Sequence, residues 1–250
     1  MREKITIPSL QQMKRDGRKI AGVVVYDYPM AQIADRAGVD IVSVGDSIGV
    51  NVWGHARESE VTLDEMLLAC RAVRRGVTRA LVSCDVPGSV TDVVTSARAL
   101  VRNGGADMVK VEAGSGAIRA IVDAGVPVWA QISGQGAGGR GPEVAGDEVA
   151  GLVREAKALE AAGASLLDFR HSGPTVGPAV ARALSIPVIG GLGGGPWLDG
   201  RVRAIGNAIG YSAAALDDQA ERYANVARVA LDAITTYTAD VRAGRQVRGK

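Results

Sequence analysis

The sequence is poor in aromatic residues and in cysteine, and it contains no long apolar run. One Phe, three Trp and five Tyr are the only aromatic side chains among 250 residues, so the core must consist mainly of Ala, Val, Leu and Ile. Cys70 and Cys84 lack the spacing of metal ligands, and we interpret them as buried, reduced thiols. No apolar segment has the length of a membrane span.

An excess of charge of one sign is also missing. The chain has 29 Lys and Arg against 27 Asp and Glu, a net charge of +2, and both signs are spread along it. Nucleic-acid-binding proteins instead cluster their basic residues. The opening Met-Arg-Glu-Lys lacks the apolar stretch of a signal peptide. We therefore expect a cytoplasmic protein that binds neither nucleic acid nor membranes.

Glycine, by contrast, is abundant, at 33 of 250 residues. Several glycines stand where an amphipathic segment ends, as in Ala37-Gly38, Ala124-Gly125 and Ala162-Gly163. Gly after a helix adopts the left-handed conformation that ends it. Each such glycine precedes one of eight short apolar runs, or lies close to one. The runs are Ile20–Val25, Asp40–Val44, Ala80–Ser83, Met108–Val111, Val126–Ile132, Ser165–Phe169, Pro187–Gly190 and Arg201–Ile205.

Eight alternations of an apolar run with an amphipathic segment favour a (β/α)8 TIM barrel over an open sheet. One amphipathic segment begins at Thr62 with Glu65 three residues later, a pattern typical of a capping box. We expect a single barrel domain over residues 1–250. It would be preceded by a helical segment from Ile7 to Arg18 and followed by a long helix from about Asp218 to Ala243.

Acidic residues follow three consecutive predicted strands. Asp46, Asp85 and Glu112 stand at the second, third and fourth strand ends, where TIM barrels carry their reactive groups. Lys110 is two residues from Glu112 and therefore points to the same side of its strand. Carboxylates gathered in this way suit Mg²⁺. For any one of them alone, a helix cap or a solvated loop residue is the simpler interpretation.

Collinear motifs along almost the whole chain give a more specific indication. They include Tyr26–Pro29, Val44–Ser47, Val61–Met66, Asp85–Pro87, Ala106–Glu112 and Ile186–Gly190. With these motifs the chain resembles the ketopantoate hydroxymethyltransferase family, in the phosphoenolpyruvate/pyruvate-barrel superfamily.

The resemblance implies an activity and roles for several residues. Asp46, Asp85 and Glu112 would hold Mg²⁺, and Ser47 and Lys110 would bind a 2-oxo acid. The implied reaction forms an enolate from that acid and transfers to it a hydroxymethyl group from the co-substrate 5,10-methylenetetrahydrofolate. The family resemblance and the apolar C-terminal helix also suggest a homo-oligomer.

The chain departs from the family pattern at residues that would carry out the reaction. Arg170 stands where the family has the Glu taken to be the base, and Gln131 stands where it has a His. Arg cannot accept a proton near neutral pH, but it recognises carboxylates and phosphates. We therefore expect Arg170, Gln131 and Asp85 to contact the substrate.

Proton transfer would then fall to another residue. His171 is a candidate, although it would point away from Arg170 if the strand continued, and His55 is comparable. We group Arg170, His171 and Lys110 as the candidate catalytic residues. Counted with Mg²⁺, the three carboxylates, Lys110 and Arg170 give a site charge of +1, which would favour a more anionic ligand. In the alternative to such a role, Arg170 turns away to pair with Asp168 or Glu143.

Three hypotheses therefore stay open. The chain could be a hydroxymethyltransferase, with an altered 2-oxo acid as a variant of this hypothesis. It could be a C–C or C–P lyase or mutase that acts on a more anionic 2-oxo or 2-hydroxy acid. It could also be a catalytically silent paralogue. In each case we expect the glycine-rich loop from Ser133 to Pro142 to act as a lid, and the run from Gly190 to Gly200 to lie at the barrel mouth.

Overall fold

The computed structural model describes residues 3–134, 146–191 and 194–245. Eight parallel strands close into a barrel in sequence order, so the predicted TIM barrel is confirmed. The strands are β1 (Ile20–Val24), β2 (Ile41–Val44), β3 (Leu81–Asp85), β4 (Met108–Val111), β5 (Val128–Ser133), β6 (Leu166–Arg170), β7 (Val188–Gly190) and β8 (Gly200–Ala204).

Helices lie between most of the strands and at both ends of the chain. They are α1 (Ile7–Arg15), α2 (Tyr28–Ala37), α3 (Leu63–Gly76), α4 (Val93–Arg102), α5 (Ser115–Asp123), α6 (Gly146–Ala161), α7 (Val176–Ala183), α8 (Ile205–Ala208) and α9 (Val226–Arg242). Among the described residues, no helix is long and apolar enough to cross a membrane.

Local signals in the sequence set the ends of several helices. The predicted capping box of α3 is present, because the Glu65 carboxylate accepts the Thr62 N–H at 2.7 Å and the Thr62 hydroxyl accepts the Glu65 N–H. Gly38, Gly125 and Gly163 have φ of 87°, 80° and 100°, the left-handed conformation expected of glycines that end helices. These caps and turns deliver the chain into each following strand.

The barrel interior changes from apolar to polar along the strands. At the amino-terminal end, inward-facing residues such as Ile41, Leu81 and Leu166 pack with Leu10 and Met13 of α1 in one buried cluster. Side chains two residues further along a strand face the same way. Those positions carry Ser43, Ser83, Lys110, Gln131 and Asp168. The apolar layer therefore closes one end of the barrel, and polar groups line the other.

Contacts divide the chain into two compact units, residues 1–203 and residues 204–250. The first contains the barrel, and the second contains α8 and α9. The C-terminal helix was predicted to begin at about Asp218, and this was wrong. Asn225 caps α9 by accepting the N–H of Arg228, so the helix begins only at Val226. Before it, Asp218 and Arg222 form an ion pair with each other. The single-domain expectation stays a prediction.

Candidate active site

Lys110 lies at the centre of a buried cluster of charges inside the barrel. Its Nζ is 3.3 Å from Asp85 Oδ2 on β3 and 3.5 Å from Asp168 Oδ2 on β6. The ammonium also lies 5.6 Å from the centre of the Trp129 ring. Burial alone would lower the pKa of Lys110, but the charges of Asp85 and Asp168 outweigh burial and raise it. Lys110 is therefore an ammonium that connects β4 with β3 and β6.

Asp85 and Asp46 form the acidic side of this cluster. Burial raises the pKa of Asp85, although the Lys110 charge opposes the rise. Burial and the Asp85 charge raise the pKa of Asp46 to about 7. The Oδ1 atom of Asp85 is buried and has no hydrogen-bond partner among the described residues. Buried carboxylate oxygens without donors are costly, and a cation bound at Asp46 and Asp85 would remove that cost.

Glu112 does not join Asp46 and Asp85. Its Oε2 accepts a 2.6 Å hydrogen bond from Nε2 of Gln131, on the neighbouring strand β5. Within the described ranges, no three His, Cys, Asp or Glu side chains come close enough together to hold a metal ion. The expected convergence of three carboxylates is thus not seen here, because the Gln131 amide holds the third one.

Ser47 follows β2 and belongs to a chain of hydrogen bonds with Tyr26 and Asn51. The Asn51 amide donates to Tyr26 Oη at 3.1 Å, and Tyr26 Oη lies 3.0 Å from Ser47 Oγ. Burial raises the pKa of Tyr26, so the phenol keeps its proton. A phenol that accepts from Asn51 can donate its proton to Ser47. The Ser47 hydroxyl is then left to donate to a ligand.

Asp168 is the carboxylate that sequence reasoning did not place in the site. It is 2% exposed, and its Oδ1 accepts the N–H of Gly191 at 3.3 Å. Burial raises its pKa, while the charges of Lys110 and Arg170 oppose the rise. Its position two residues before Arg170 was the available signal, because alternation puts both side chains on one face of β6.

Arg170 and His171 lie where β6 ends. The half-buried Arg170 is the last residue of the strand, and His171 has φ 52°, a left-handed conformation uncommon for residues other than glycine. Alternation therefore stops at Arg170 and does not fix the direction of the His171 side chain. The Nδ1 atom of His171 is buried without a partner among the described residues. Glu143, the other expected partner of Arg170, lies outside those residues.

His55 and the glycine-rich loop are the remaining candidates. His55 Nε2 is 3.8 Å from the Glu65 carboxylate at the start of α3, and its Nδ1 atom, like that of His171, is buried without a partner among the described residues. Of the loop from Ser133 to Pro142, only Ser133 and Gly134 are among the described residues, and the expected lid therefore lies almost entirely outside them.

The charge of the site changes once Asp168 is included. Four carboxylates, one lysine, one arginine and a divalent cation sum to zero, where the count without Asp168 gave +1. The carboxylates are Asp46, Asp85, Glu112 and Asp168, and the cations are Lys110 and Arg170. The net charge of the site is thus lower by one unit, which weakens the case for a more anionic ligand.

A parallel eight-stranded barrel with buried carboxylates around a lysine at the carboxyl ends of its strands has the architecture of TIM-barrel enzymes. The chain belongs to the ketopantoate hydroxymethyltransferase family, whose model matches residues 4–246. The 3-methyl-2-oxobutanoate hydroxymethyltransferase of Moorella thermoacetica is 37% identical over 98% of this chain and 96% of its own length. That of a Cyanothece species is 38% identical over 95% and 96%.

Solved structures with a similar fold are more distant in sequence. Phosphoenolpyruvate phosphomutase from Streptomyces platensis subsp. rosaceus superposes with a TM-score of 0.62 at 18% identity, covering 96% of this chain and 88% of its own. A phosphonopyruvate hydrolase in complex with oxalate and Mg²⁺ gives a TM-score of 0.61 at 16% identity, with the same coverages. At these identities the likeness concerns the fold alone.

Proposed function

We propose that this protein forms an enolate from a 2-oxo acid and joins it to a one-carbon unit, as the names of its relatives indicate for them. The buried Lys110 ammonium next to Asp85, at the carboxyl ends of the strands, is the observation that carries this proposal. A fixed positive charge at this place can bind the carboxylate of the acid and stabilise negative charge that develops on its ketone oxygen.

A divalent cation fits the acidic side of the cluster. We propose Asp46 and Asp85 as ligands of Mg²⁺, because Asp85 is buried and Asp46 half-buried, both offer hard oxygen atoms, and Asp85 Oδ1 has no donor among the described residues. The hydrogen bond to Gln131 holds Glu112 in its present orientation, so Glu112 would have to turn towards Asp46 and Asp85 to become the third ligand. Bound Mg²⁺ would polarise the ketone and stabilise the charge of the enolate.

The other groups of the site would bind and orient the acid. Ser47, whose O–H is free to donate when its oxygen accepts from Tyr26, supplies a second donor beside Lys110. Arg170 extends the binding face towards a substituent of the acid. Gln131 stays bound to Glu112 in this arrangement. The co-substrate in this proposal is 5,10-methylenetetrahydrofolate.

Removal of the C3 proton needs a base, and the candidate catalytic residues differ in their ability to accept a proton. Lys110 keeps its proton, because its pKa is raised, and Arg170 keeps its own. We propose His171 as the proton acceptor, since it directly follows β6, the strand that carries Asp168 and Arg170, at the end of the barrel where the candidate site lies. A neutral imidazole has one ring nitrogen that can accept a proton.

Deuterium exchange tests the first half of the reaction without any folate. The protein is incubated with Mg²⁺ and 3-methyl-2-oxobutanoate in D₂O, and the C3 proton signal is followed by NMR. We expect the signal to disappear with the wild-type protein and to persist with His171→Gln. Persistence of the signal with the wild-type protein would contradict the proposed substrate. A parallel incubation with a 2-oxo diacid tests whether Arg170 has changed the substrate.

A further inference from the structure

The barrel contains a buried carboxylate, Asp168, to which the proposed reaction gives no role. It lies on an inward-facing position of β6. Strand β5 separates β6 from β4, which carries Lys110. Its side chain is 3% exposed, and its Oδ2 lies 3.5 Å from the Lys110 ammonium. A buried carboxylate beside a buried lysine fixes both side chains, because neither charge has water as an alternative partner.

The second oxygen of the Asp168 carboxylate is bound by the protein backbone. Its Oδ1 accepts the backbone N–H of Gly191, just after β7, at 3.3 Å. One oxygen therefore faces the backbone beside β7 and the other faces Lys110. Asp168 connects the β6 and β7 side of the barrel to an ammonium that projects from β4.

The donors of Lys110 are only partly used by these contacts. An ammonium has three N–H donors, and the ion pairs at 3.3 and 3.5 Å draw the Lys110 ammonium to the carboxylates of Asp85 and Asp168. The Trp129 ring lies 5.6 Å away and offers no acceptor atom in its place. Attraction to carboxylates on both β3 and β6 holds the ammonium between these strands and so restricts the directions of its N–H groups.

We propose that Asp168 is a positioning residue, which holds the Lys110 ammonium in place so that a free N–H donor is directed at the 2-oxo acid. This role rests on the proposed function, since it concerns how Lys110 meets that acid. Without Asp168, the ammonium would be drawn towards Asp85 alone, and the direction of its free donor would change. Small displacements of this kind lower reaction rates strongly.

Asp168→Asn is the test variant, because it keeps the shape of the side chain and removes the charge. Asp199→Asn is the matched control. Asp199 Oδ2 accepts from Lys14 Nζ and from the Val188 N–H, both at 2.8 Å, at the opposite end of the barrel. Both variants remove one carboxylate from a buried lysine, but only the first touches the candidate site.

The first readout is the NMR signal of the lysine ammonium groups in ¹⁵N-lysine-labelled protein. A held ammonium gives a resolved signal, with contacts to the methylene protons of its carboxylate partners. We expect the Lys110 signal to be lost in Asp168→Asn and the Lys14 signal to be lost in Asp199→Asn. An unchanged Lys110 signal in Asp168→Asn would overturn the proposal. If that variant does not fold, contacts from Lys110 to Asp168 in the wild-type spectrum support the proposal, and their absence overturns it.

The second readout separates positioning from a structural role. For C3 deuterium exchange we expect Asp168→Asn to lower kcat about 100-fold and to leave KM within about threefold. Asp199→Asn should change neither. A wild-type kcat in folded Asp168→Asn would overturn the proposal. Absence of exchange with the wild-type protein would refute the proposed function, and the ammonium signals would still decide whether Asp168 holds Lys110.

Discussion

Lys14 and Lys110 lie at opposite ends of the barrel and are almost equally buried, with 13% and 12% of their side chains exposed. Lys14 donates to the carbonyls of Ala181 and Ile186 and to the Asp199 carboxylate, at 2.8 to 2.9 Å. These contacts use all three of its donors. Lys110 instead meets two carboxylates at 3.3 and 3.5 Å.

The difference supports the proposal that the amino-terminal end serves stability and the carboxyl end serves binding. At the amino-terminal end, acceptors within the protein use all three N–H donors of Lys14, so no donor of this lysine remains for a ligand. At the carboxyl end, carboxylates exceed cations around Lys110, and Asp85 keeps a buried oxygen without a donor among the described residues. An excess of buried negative charge is expensive unless a cation balances it. The imbalance at this end therefore favours a metal-dependent site.

The largest contrast is expected from removing each lysine. Lys110→Met should lower the rate of C3 deuterium exchange by about 1,000-fold, because one charged donor at a developing oxyanion contributes about that much. Lys14→Met should leave the rate of the folded protein unchanged and lower its Tm. Exchange rates and thermal unfolding of the two variants check both statements. Equal losses of activity would remove the distinction between the two ends.

The next contrast concerns the partners of the two lysines. Loss of an outer-shell partner alone weakens metal binding by about 10- to 100-fold, so Asp85→Asn should weaken Mg²⁺ binding by at least about 100-fold. Asp199→Asn should leave it unchanged. Titration calorimetry with MgCl₂ measures both. Mg²⁺ affinity preserved in Asp85→Asn would show that the metal binds elsewhere.

Packing should differ between the ends as well. A Cβ added to Gly200, at the amino-terminal start of β8, would lie 2.3 Å from the Ile20 carbonyl oxygen, whereas at Gly191 the nearest atom is 3.6 Å away. We expect Gly200→Ala to lower the free energy of unfolding by about 1–3 kcal/mol and Gly191→Ala to change it by less than about 0.5 kcal/mol. Urea unfolding of both variants measures the difference, and equal costs would contradict it.

A smaller effect on Mg²⁺ binding is expected from the hydrogen bond between Gln131 and Glu112. Gln131→Ala would release Glu112 from its hydrogen bond, which leaves this carboxylate available to Mg²⁺. A hydrogen bond contributes about 0.5–1.5 kcal/mol net, so Mg²⁺ should bind roughly two- to tenfold more tightly. Weaker binding would show that Gln131 helps to form the metal site.

The smallest effect concerns a carboxylate outside the candidate site. Burial would raise the pKa of Asp35, but the N–H groups of Thr78, Arg79 and Ala80 outweigh burial and lower it below 3.8. A lowered pKa stabilises the fold above pH 3.8 and loses that contribution as pH falls through the folded value. The Tm gap between wild type and Asp35→Asn should therefore narrow on acidification. A constant gap would contradict this.

The strands of the barrel could be predicted because most are short apolar runs, and several of them start close to a helix-ending glycine such as Gly38, Gly125 or Gly163. The pairings inside the barrel could not be predicted in the same way. In the sequence, Asp168 lies between the apolar residues Leu167 and Phe169. Its contact with Lys110 depends on how β4 and β6 are placed once the barrel has closed. The hydrogen bond between Gln131 and Glu112 likewise depends on the register of β4 and β5.

Backbone conformation limited the prediction at His171. Strand alternation predicted a side chain pointing away from Arg170, but the positive φ of His171 ends the alternation at that residue. Residues other than glycine adopt this conformation rarely, and nothing in the local sequence indicates it. The start of the C-terminal helix was also missed, because the Asn225 side chain accepts the N–H of Arg228 and caps the helix only there.

A crystal structure with Mg²⁺ and 3-methyl-2-oxobutanoate bound tests the central claim most directly. We predict the metal on carboxylate oxygens of Asp46 and Asp85, and the acid within hydrogen-bonding distance of Lys110 Nζ and Ser47 Oγ. Asp168 should still contact Lys110 in that complex. Metal or acid bound away from the carboxyl ends of the strands, with Lys110 unoccupied, would contradict the account.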